Sequence, residues 1–357
     1  ELRPMKPLIS IIIPCFNTAE YLPQCMASLE KQTIGFEKLQ FIFVDDASTD
    51  EGKTWRCICE FEQRHPKEVV AIQLEKNMSQ GGAKNVGISY AEAAYIGFVD
   101  SDDWIEPEMY EKLYACARDY QCDAVDCGRM LNYPDGREVI YQKKENCFDQ
   151  FENSIVEGGD HWIRDFTHPG YGGGLVTCIF RKQLIIENEI KFPEHLKYED
   201  NYWSAVIRLY IRSFYHIADN CYHYRQREDS TVYKKNMTYH LDQMIIEEQK
   251  VETYQKLGIF DKYYWQIEFS FLYTFYCSTL IKLFVKFDNP PFDVYQRMVK
   301  RVRELFPDYL ENPYFKEDDF NRTLLKLIDK QLTPEQFQEI GKMVLQYCYT
   351  SENMKYN

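Results

Sequence analysis

The chain has 357 residues, 45% of them apolar, and a formal net charge of −14 at pH 7. That length suffices for one large domain with an appendage, and that charge argues against generic binding to nucleic acid or to an anionic membrane. Twelve cysteines lie scattered without a C-x-x-C pair, which argues against a zinc site or disulfide framework and fits reduced thiols in a cytoplasmic compartment.

Leu8–Pro14, L-I-S-I-I-I-P, has the continuous apolar run of a strand buried on both faces, closed by Pro14. After a turn at Cys15-Phe16-Asn17, apolar residues at Leu22, Met26 and Leu29 give Ala19–Gln32 a helical spacing. Phe41–Val44 is a second buried strand, ending in Asp45-Asp46. Trp55–Arg64 reads as a helix and Val69–Leu74 as a third strand. A polar, glycine-bearing loop over Asn77–Gly82 leads into a helix at Ala83–Ala94, with Lys84 and Asn85 in its first turn. Tyr95–Val99 is a fourth strand and stops abruptly at Asp100, Asp102 and Asp103. This alternation predicts an α/β fold, a doubly wound, mostly parallel sheet with right-handed crossovers.

Carboxylates clustered at a strand's carboxyl end repel one another and lose hydration unless a cation neutralises them. Oxygen ligands of this kind suit Mg²⁺ or Mn²⁺, which in turn carry substrate phosphates. The alternative is a solvated acidic turn, with Asp103 capping a helix through Trp104–Pro107. Three of the four strands end in polar groups, at Pro14–Asn17, Asp45-Asp46 and Asp100–Asp102. In a parallel sheet those ends meet in one crevice, which favours the metal reading.

P-x-F-N-x-x-x-Y-L, V-D-D-x-S-x-D, A-K-N-x-G and F-V-D-S-D-D-W follow in that order between Leu8 and Trp104. Together they resemble the family 2 glycosyltransferases of GT-A fold. The resemblance implies that Asp45 and Asp46 bind the nucleotide's base and ribose, and that Pro14, Phe16, Asn17 and Tyr21 line the base pocket. It implies that Lys84 and Asn85 contact the nucleotide, with lysine keeping the charge but losing the fork of the commoner arginine. Asp100-Ser101-Asp102 matches the D-x-D motif, with Asp100 and Ser101 on the nucleotide and Asp102 ligating the metal.

Further on, Pro107–Tyr120 is an amphipathic helix, Asp123–Met130 a strand, and Asn132–Gly136 a hairpin-type turn before Glu138–Tyr141. Asp160–Gly174 ends in a glycine-rich run that reads either as a flexible acceptor loop or as a tight bend. Glu199-Asp200 matches the family's acidic pair, so the resemblance makes Asp200 the general base; the competing reading is a helix N-cap. Tyr224-Arg225-Gln226-Arg227-Glu228-Asp229-Ser230 matches a family stretch that places Arg225, Arg227 and Ser230 on the diphosphate. His223 reads as a further ligand or, more commonly for such a residue, as a satisfied core histidine.

From about Thr238 the pattern becomes long helices, over His240–Leu257, Tyr263–Phe287, Pro291–Leu305, Phe320–Ile328 and Thr333–Tyr349, and the resemblance stops near Ser230. Thr333-x-x-Gln336 is a capping box. Residues 1–237 therefore read as a GT-A catalytic domain, and 238–357 as a helical extension for packing, self-association, or contact with a membrane that carries the acceptor. The expected activity is inverting transfer from a nucleotide-diphosphate sugar, a uridine one being commonest in the family, with Mn²⁺ or Mg²⁺, to a glycan, lipid-linked or polymer hydroxyl. A lipid-linked acceptor would be met at the inner face of the cell membrane. A nucleotidyltransferase would need a glycine-rich loop after the first strand, where Pro14-Cys15-Phe16-Asn17 stands. A phosphorelay receiver would leave Glu199-Asp200 and the arginine stretch without a role. A catalytically inactive scaffold remains compatible with the same residues.

Overall fold

A computed structural model describes residues 6–141, 153, 155–157, 166–167, 174–227, 237–317 and 319–350. Ser230 and the stretch from His168 to Gly173 lie outside them. In chain order come β1 (Ile9–Cys15), α1 (Leu22–Glu30), β2 (Leu39–Asp45), α2 (Lys53–Arg64), β3 (Val69–Gln73), α3 (Ser79–Tyr90), β4 (Tyr95–Phe98), β5 (Trp104–Ile105) and α4 (Met109–Asp119). Then follow β6 (Ala124–Asn132), β7 (Glu138–Ile140), β8 (Ile155–Glu157), β9 (Cys178–Arg181), α5 (Lys182–Glu187), α6 (Glu199–Arg208) and β10 (Ser213–Arg225).

The strands form one mixed sheet in the order β3-β2-β1-β4-β9-β6-β10-β5, with β7 beside β6 and β8 beside β10. β1, β2, β3 and β4 run parallel, as the crossover helices require. Every residue of β1 and β2 is buried, because helices cover both faces of such a sheet and only a continuous apolar run is stable there. β9 then enters antiparallel to β4 and to β6, while the long β10 runs parallel to β6.

α3 begins at Ser79, four residues before the start expected from the sequence. Its glycines are packing residues inside the helix, not loop breakers. A Cβ at Gly87 would lie 2.4 Å from Ile12 Cγ2, and one at Gly81 would lie 2.1 Å from the Pro193 carbonyl oxygen. The helix is thus pressed between β1 and the segment leading into α6.

By its contacts the chain divides into two compact units: Glu1–Trp162 with Gly170–Tyr233, and Ile163–Pro169 with Lys234–Asn357. The second contains α7 (Met237–Lys256), α8 (Tyr264–Phe271), a π-helical segment (Leu272–Ser278), α9 (Thr279–Lys286), α10 (Phe292–Leu305), α11 (Phe320–Leu325) and α12 (Pro334–Thr350). The sequence expects one uninterrupted aromatic helix over Tyr263–Phe287; the π turn inside it is a local underwinding that periodicity alone does not signal. The capping box forms as expected: Thr333 N donates to Gln336 Oε1 (2.9 Å) and Gln336 N to Thr333 Oγ1 (3.3 Å). Among the described residues no helix is long and apolar enough to cross a membrane.

Candidate active site

The carboxyl ends of β1, β2 and β4 share one edge of the sheet, the edge at which open α/β sheets take ligands. Two loops are laced together there. Asn17 N donates to Ser48 Oγ (2.9 Å), and the Asn17 amide accepts from Thr49 N (2.7 Å) and donates to Thr49 Oγ1 (3.2 Å). Asn17 has a φ of 53°, a left-handed conformation that asparagine tolerates. Pro14 is buried within β1, whereas Phe16 is 45% exposed, leaving a bare aromatic ring at the ligand edge.

Asp45 and Asp46 hold the loops beside it. Asp45 accepts from Ser48 N (3.2 Å) and Ser48 Oγ (2.5 Å) through Oδ1, and from Gln73 Nε2 (3.1 Å) through Oδ2. Asp46 Oδ1 accepts from Met78 N (2.6 Å), the N-cap residue of α3, where a carboxylate meets the positive end of the helix. Burial raises the pKa of Asp46.

The acids after β4 divide their tasks. Asp103 is buried, and it accepts from Arg225 N (2.8 Å) and from the Tyr222 hydroxyl (2.7 Å). That hydroxyl also accepts from Asp100 N (3.1 Å). Asp103 therefore ties β10 to the acidic turn and does not cap a helix; Trp104-Ile105 pairs with His223 and Tyr222, and the next helix starts at Met109. Burial, then the charges of Asp102 and Asp100, push its carboxyl well above the usual range. Burial pushes Asp100 up to about 6, against the pull of Lys84. Ser101 is buried beside them.

Asp102 carries a different partner: its Oδ2 is 2.6 Å from the Arg227 guanidinium. Arg225 donates from Nε to the Asp102 carbonyl (2.7 Å) and from its terminal nitrogen to Gln24 Oε1 (2.5 Å). The two arginines belong to a stack. Arg227 lies 4.8 Å from the Tyr21 ring, Arg225 lies 5.2 Å from that ring and 4.8 Å from Trp104, and Trp104 stacks on His223 at 5.0 Å. Tyr21, expected to line a base pocket, thus sits between two guanidiniums, where ring faces attract cations. His223 has both ring nitrogens engaged, with Glu106 Oε1 (2.8 Å) and Asn132 Oδ1 (3.1 Å); it is a satisfied core histidine.

Glu199 and Asp200 open α6, but the N-cap is Tyr198, held at a φ of 64°. Asp200 is the second helical residue, so the capping alternative does not describe it. Burial and then the charge of Glu199 raise its pKa. Glu199 is itself buried and paired, its Oε1 lying 2.9 Å from Lys84 Nζ. Burial alone would lower the pKa of the Lys84 ammonium; Glu199, Asp100 and Asp200 outweigh it and hold the pKa above the usual lysine range. The acids after β4 and the acid pair opening α6 therefore share one electrostatic cluster, with Lys84 inside it.

Lys84 and Asn85 differ from expectation in position. They stand mid-helix, and their polar atoms are taken up within the fold: Lys84 by Glu199, and Asn85 by Phe192, whose carbonyl accepts from Nδ2 (2.9 Å) and whose N donates to Oδ1 (2.9 Å). Sequence reading missed Tyr222 and Gln24 altogether. For Tyr222 the available signal was its place in the alternating strand Tyr222-His223-Tyr224. Gln24 offered none. Among the described residues no group of three or more His, Cys, Asp or Glu side chains is arranged to hold a metal ion.

The pattern of the family described as "Glycosyl transferase family 2" matches residues 10–174. The chain is 31% identical to the glycosyltransferase GlyG of Streptococcus pneumoniae over 230 residues, 63% of this chain and 73% of that one. It is 29% identical to the minor teichoic acid biosynthesis protein GgaA of Bacillus subtilis over 344 residues, 92% of this chain and 68% of that one. Its fold is similar to a crystal structure of S. aureus TarS 1-349 in complex with UDP-GlcNAc, with a TM-score of 0.59 and 20% identity, covering 95% of this chain and 92% of that one. With its GT-A type sheet and its helical C-terminal region, the chain belongs to the family 2 glycosyltransferases.

Proposed function

We propose that this glycosyltransferase moves a sugar, with inversion at the anomeric carbon, from a uridine-diphosphate sugar to a hydroxyl of a cell-surface glycan, lipid-linked glycan or polymer. The observation that carries this reading is the one cluster that joins Asp100 to Asp200 through Lys84, beside a turn where two arginines bracket Asp102. The name of GgaA, whose match spans most of this chain, supports a polymer of teichoic-acid type. TarS, solved with UDP-GlcNAc, supports a uridine donor.

In this reading Phe16 stacks on the base, Asn17 and the Asp45-Asp46 loop shape the nucleoside site, and Arg225 and Arg227 meet the diphosphate, assisted by Ser230. Asp200 takes the proton from the acceptor hydroxyl as its oxygen attacks the anomeric carbon. The bond from that carbon to the diphosphate oxygen breaks on the opposite side, and the guanidiniums stabilise the charge left on the diphosphate. Asp102 fits a divalent metal such as Mn²⁺ or Mg²⁺: its carboxylate already attracts a cation, and such ions commonly use one or two carboxylates plus substrate phosphates. When bound, the metal would neutralise diphosphate charge. Residues 1–237 serve as the catalytic domain. Residues 238–357 serve packing, self-association, or contact with an acceptor at the cytoplasmic face of a membrane.

A panel of nucleotide sugars assayed for diphosphate release with Mn²⁺ tests the donor. Turnover with one or more uridine-diphosphate sugars is expected. Turnover with guanosine- or thymidine-linked sugars alone would overturn the donor assignment.

A further inference from the structure

α3 turns one face, Gly81, Lys84 and Asn85 at i, i+3 and i+4, onto the segment that delivers Asp200. Each of the three grips it differently. Gly81 lets the Pro193 carbonyl approach to a distance that a Cβ would not permit. Asn85 brackets Phe192 with both atoms of its amide. Lys84, 2% exposed, reaches Glu199, 4% exposed, at 2.9 Å. The Lys84 ammonium also lies 5.3 Å from the Phe192 ring.

Stability alone is a weak reason for such a pair. Taking both charges out of water costs about as much as their attraction returns, and an apolar pair of similar volume is often as stable or more so. What the ion pair provides and an apolar pair does not is a fixed, charged tether on the first residue of α6, next to the residue read as the base. We propose that Lys84 is the positioning residue for Asp200, acting through Glu199, and that it does not contact the nucleotide. The inference rests on the reading of Asp200 as base. It departs from the role that the A-K-N-x-G motif implies, because the ammonium that would meet the nucleotide is committed elsewhere. Its charge also offsets those of Glu199, on the same helix as Asp200, and Asp100, after β4.

Lys84→Met, Lys84→Arg and the double variant Lys84→Met/Glu199→Leu test this, with turnover measured against an acceptor and UDP·Mn²⁺ affinity by calorimetry. The double variant removes both charges together, so a fold lost through one unpaired buried charge in the single variant is recovered. Expected are a fall in kcat of about 10- to 100-fold in Lys84→Met and in the double variant, UDP affinity within about twofold of the parent, and partial recovery of rate in Lys84→Arg. A tenfold or greater loss of UDP affinity with little change in kcat would overturn the proposal in favour of a nucleotide contact. Full rate in the double variant would overturn it as well. Asp200→Asn, measured alongside, separates the two readings: near-normal rate there removes Asp200 as base, whereas a slow Asp200→Asn beside a fully active double variant removes only the role of Lys84.

Discussion

Asp200 sits one position past the start of α6, and this decides how its replacement should behave. Because Tyr198 is the N-cap residue, Asp200→Asn removes no cap and should leave the melting temperature within a degree or two. A general base contributes typically ~10²–10⁴-fold to rate, and it acts only as the acceptor attacks. Turnover should therefore fall by that order while calorimetric affinity for the nucleotide sugar stays put. Near-normal turnover would pass the role to Glu199, whose carboxylate is engaged by Lys84. Arg227 invites a second measurement. Its guanidinium is already on Asp102, so it competes with any cation for that carboxylate and then becomes available to a diphosphate. Arg227→Ala should bind Mn²⁺ alone more tightly, read by the loss of the free-ion paramagnetic resonance signal, yet bind UDP with Mn²⁺ more weakly. Unchanged binding in both titrations would show that the pair is incidental. The acids that carry these roles were legible in the sequence, because carboxylates at a strand end announce themselves by their cost. Their division of labour was not. Nothing local distinguishes Asp103, tied to Tyr222 and Arg225, from Asp102 one residue earlier.

At the scale of the element, α3 shows where sequence reading slips. Glycines at Gly81 and Gly82 resemble loop punctuation, and the helix was expected only after them. In the fold both lie inside the helix, and Gly81 lets it approach the segment before α6, a tertiary reason that composition cannot carry. A late start puts Lys84 and Asn85 in a first turn, whereas they stand in the middle of a packed helix. The aromatic helix in the second unit holds the same lesson in another form. Glu268, wholly buried near the end of α8, accepts from Asn312 (2.8 Å) through Oε2, while its Oε1 has no hydrogen-bond partner. Burial raises its pKa to about 7, with Asp308 and Glu311 adding to the shift. A carboxyl raised on folding contributes stability that is complete below its unfolded value, near 4.5, and is lost as pH rises through about 7. Melting of this unit should accordingly drop between pH 5 and pH 8. Glu268→Gln, which keeps the Asn312 contact without a titrating proton, should flatten that slope and raise the melting temperature at pH 8. An unaltered slope would assign the pH dependence to other groups.

At the scale of the whole molecule, the parallel half of the sheet was the easiest part to read. Its strands β1, β2 and β4 are buried along their whole length, so their apolar runs are nearly unbroken, and each ends in a polar stop. The antiparallel entry of β9 between β4 and β6 was not legible, since Leu175–Phe180 looks like any buried strand and its direction depends on distant partners. The family's motifs end near Ser230, and beyond them the sequence offered helix periods and caps but no chemistry. The capping box at Thr333 was legible because its two hydrogen bonds need only four consecutive residues. Nearly all of the net charge of −14 falls in the first unit. It leaves the donor's negative charge to be met locally, by Arg225 and Arg227, in a molecule whose overall field opposes it.

The stack of His223, Trp104, Arg225, Tyr21 and Arg227 also gives the site a voice in light. An indole between an imidazole and a guanidinium emits in a field set by both, and Arg225 is one of the groups proposed to turn to the diphosphate. Of the five tryptophans in the chain, Trp104 alone among the described residues carries an arginine on its ring face. Adding UDP with Mn²⁺ should therefore change the intrinsic tryptophan emission, and Trp104→Phe should abolish most of that change while the nucleotide still binds by calorimetry. If the signal survived in Trp104→Phe, Arg225 would not be leaving the indole, and the optical change would have to arise elsewhere.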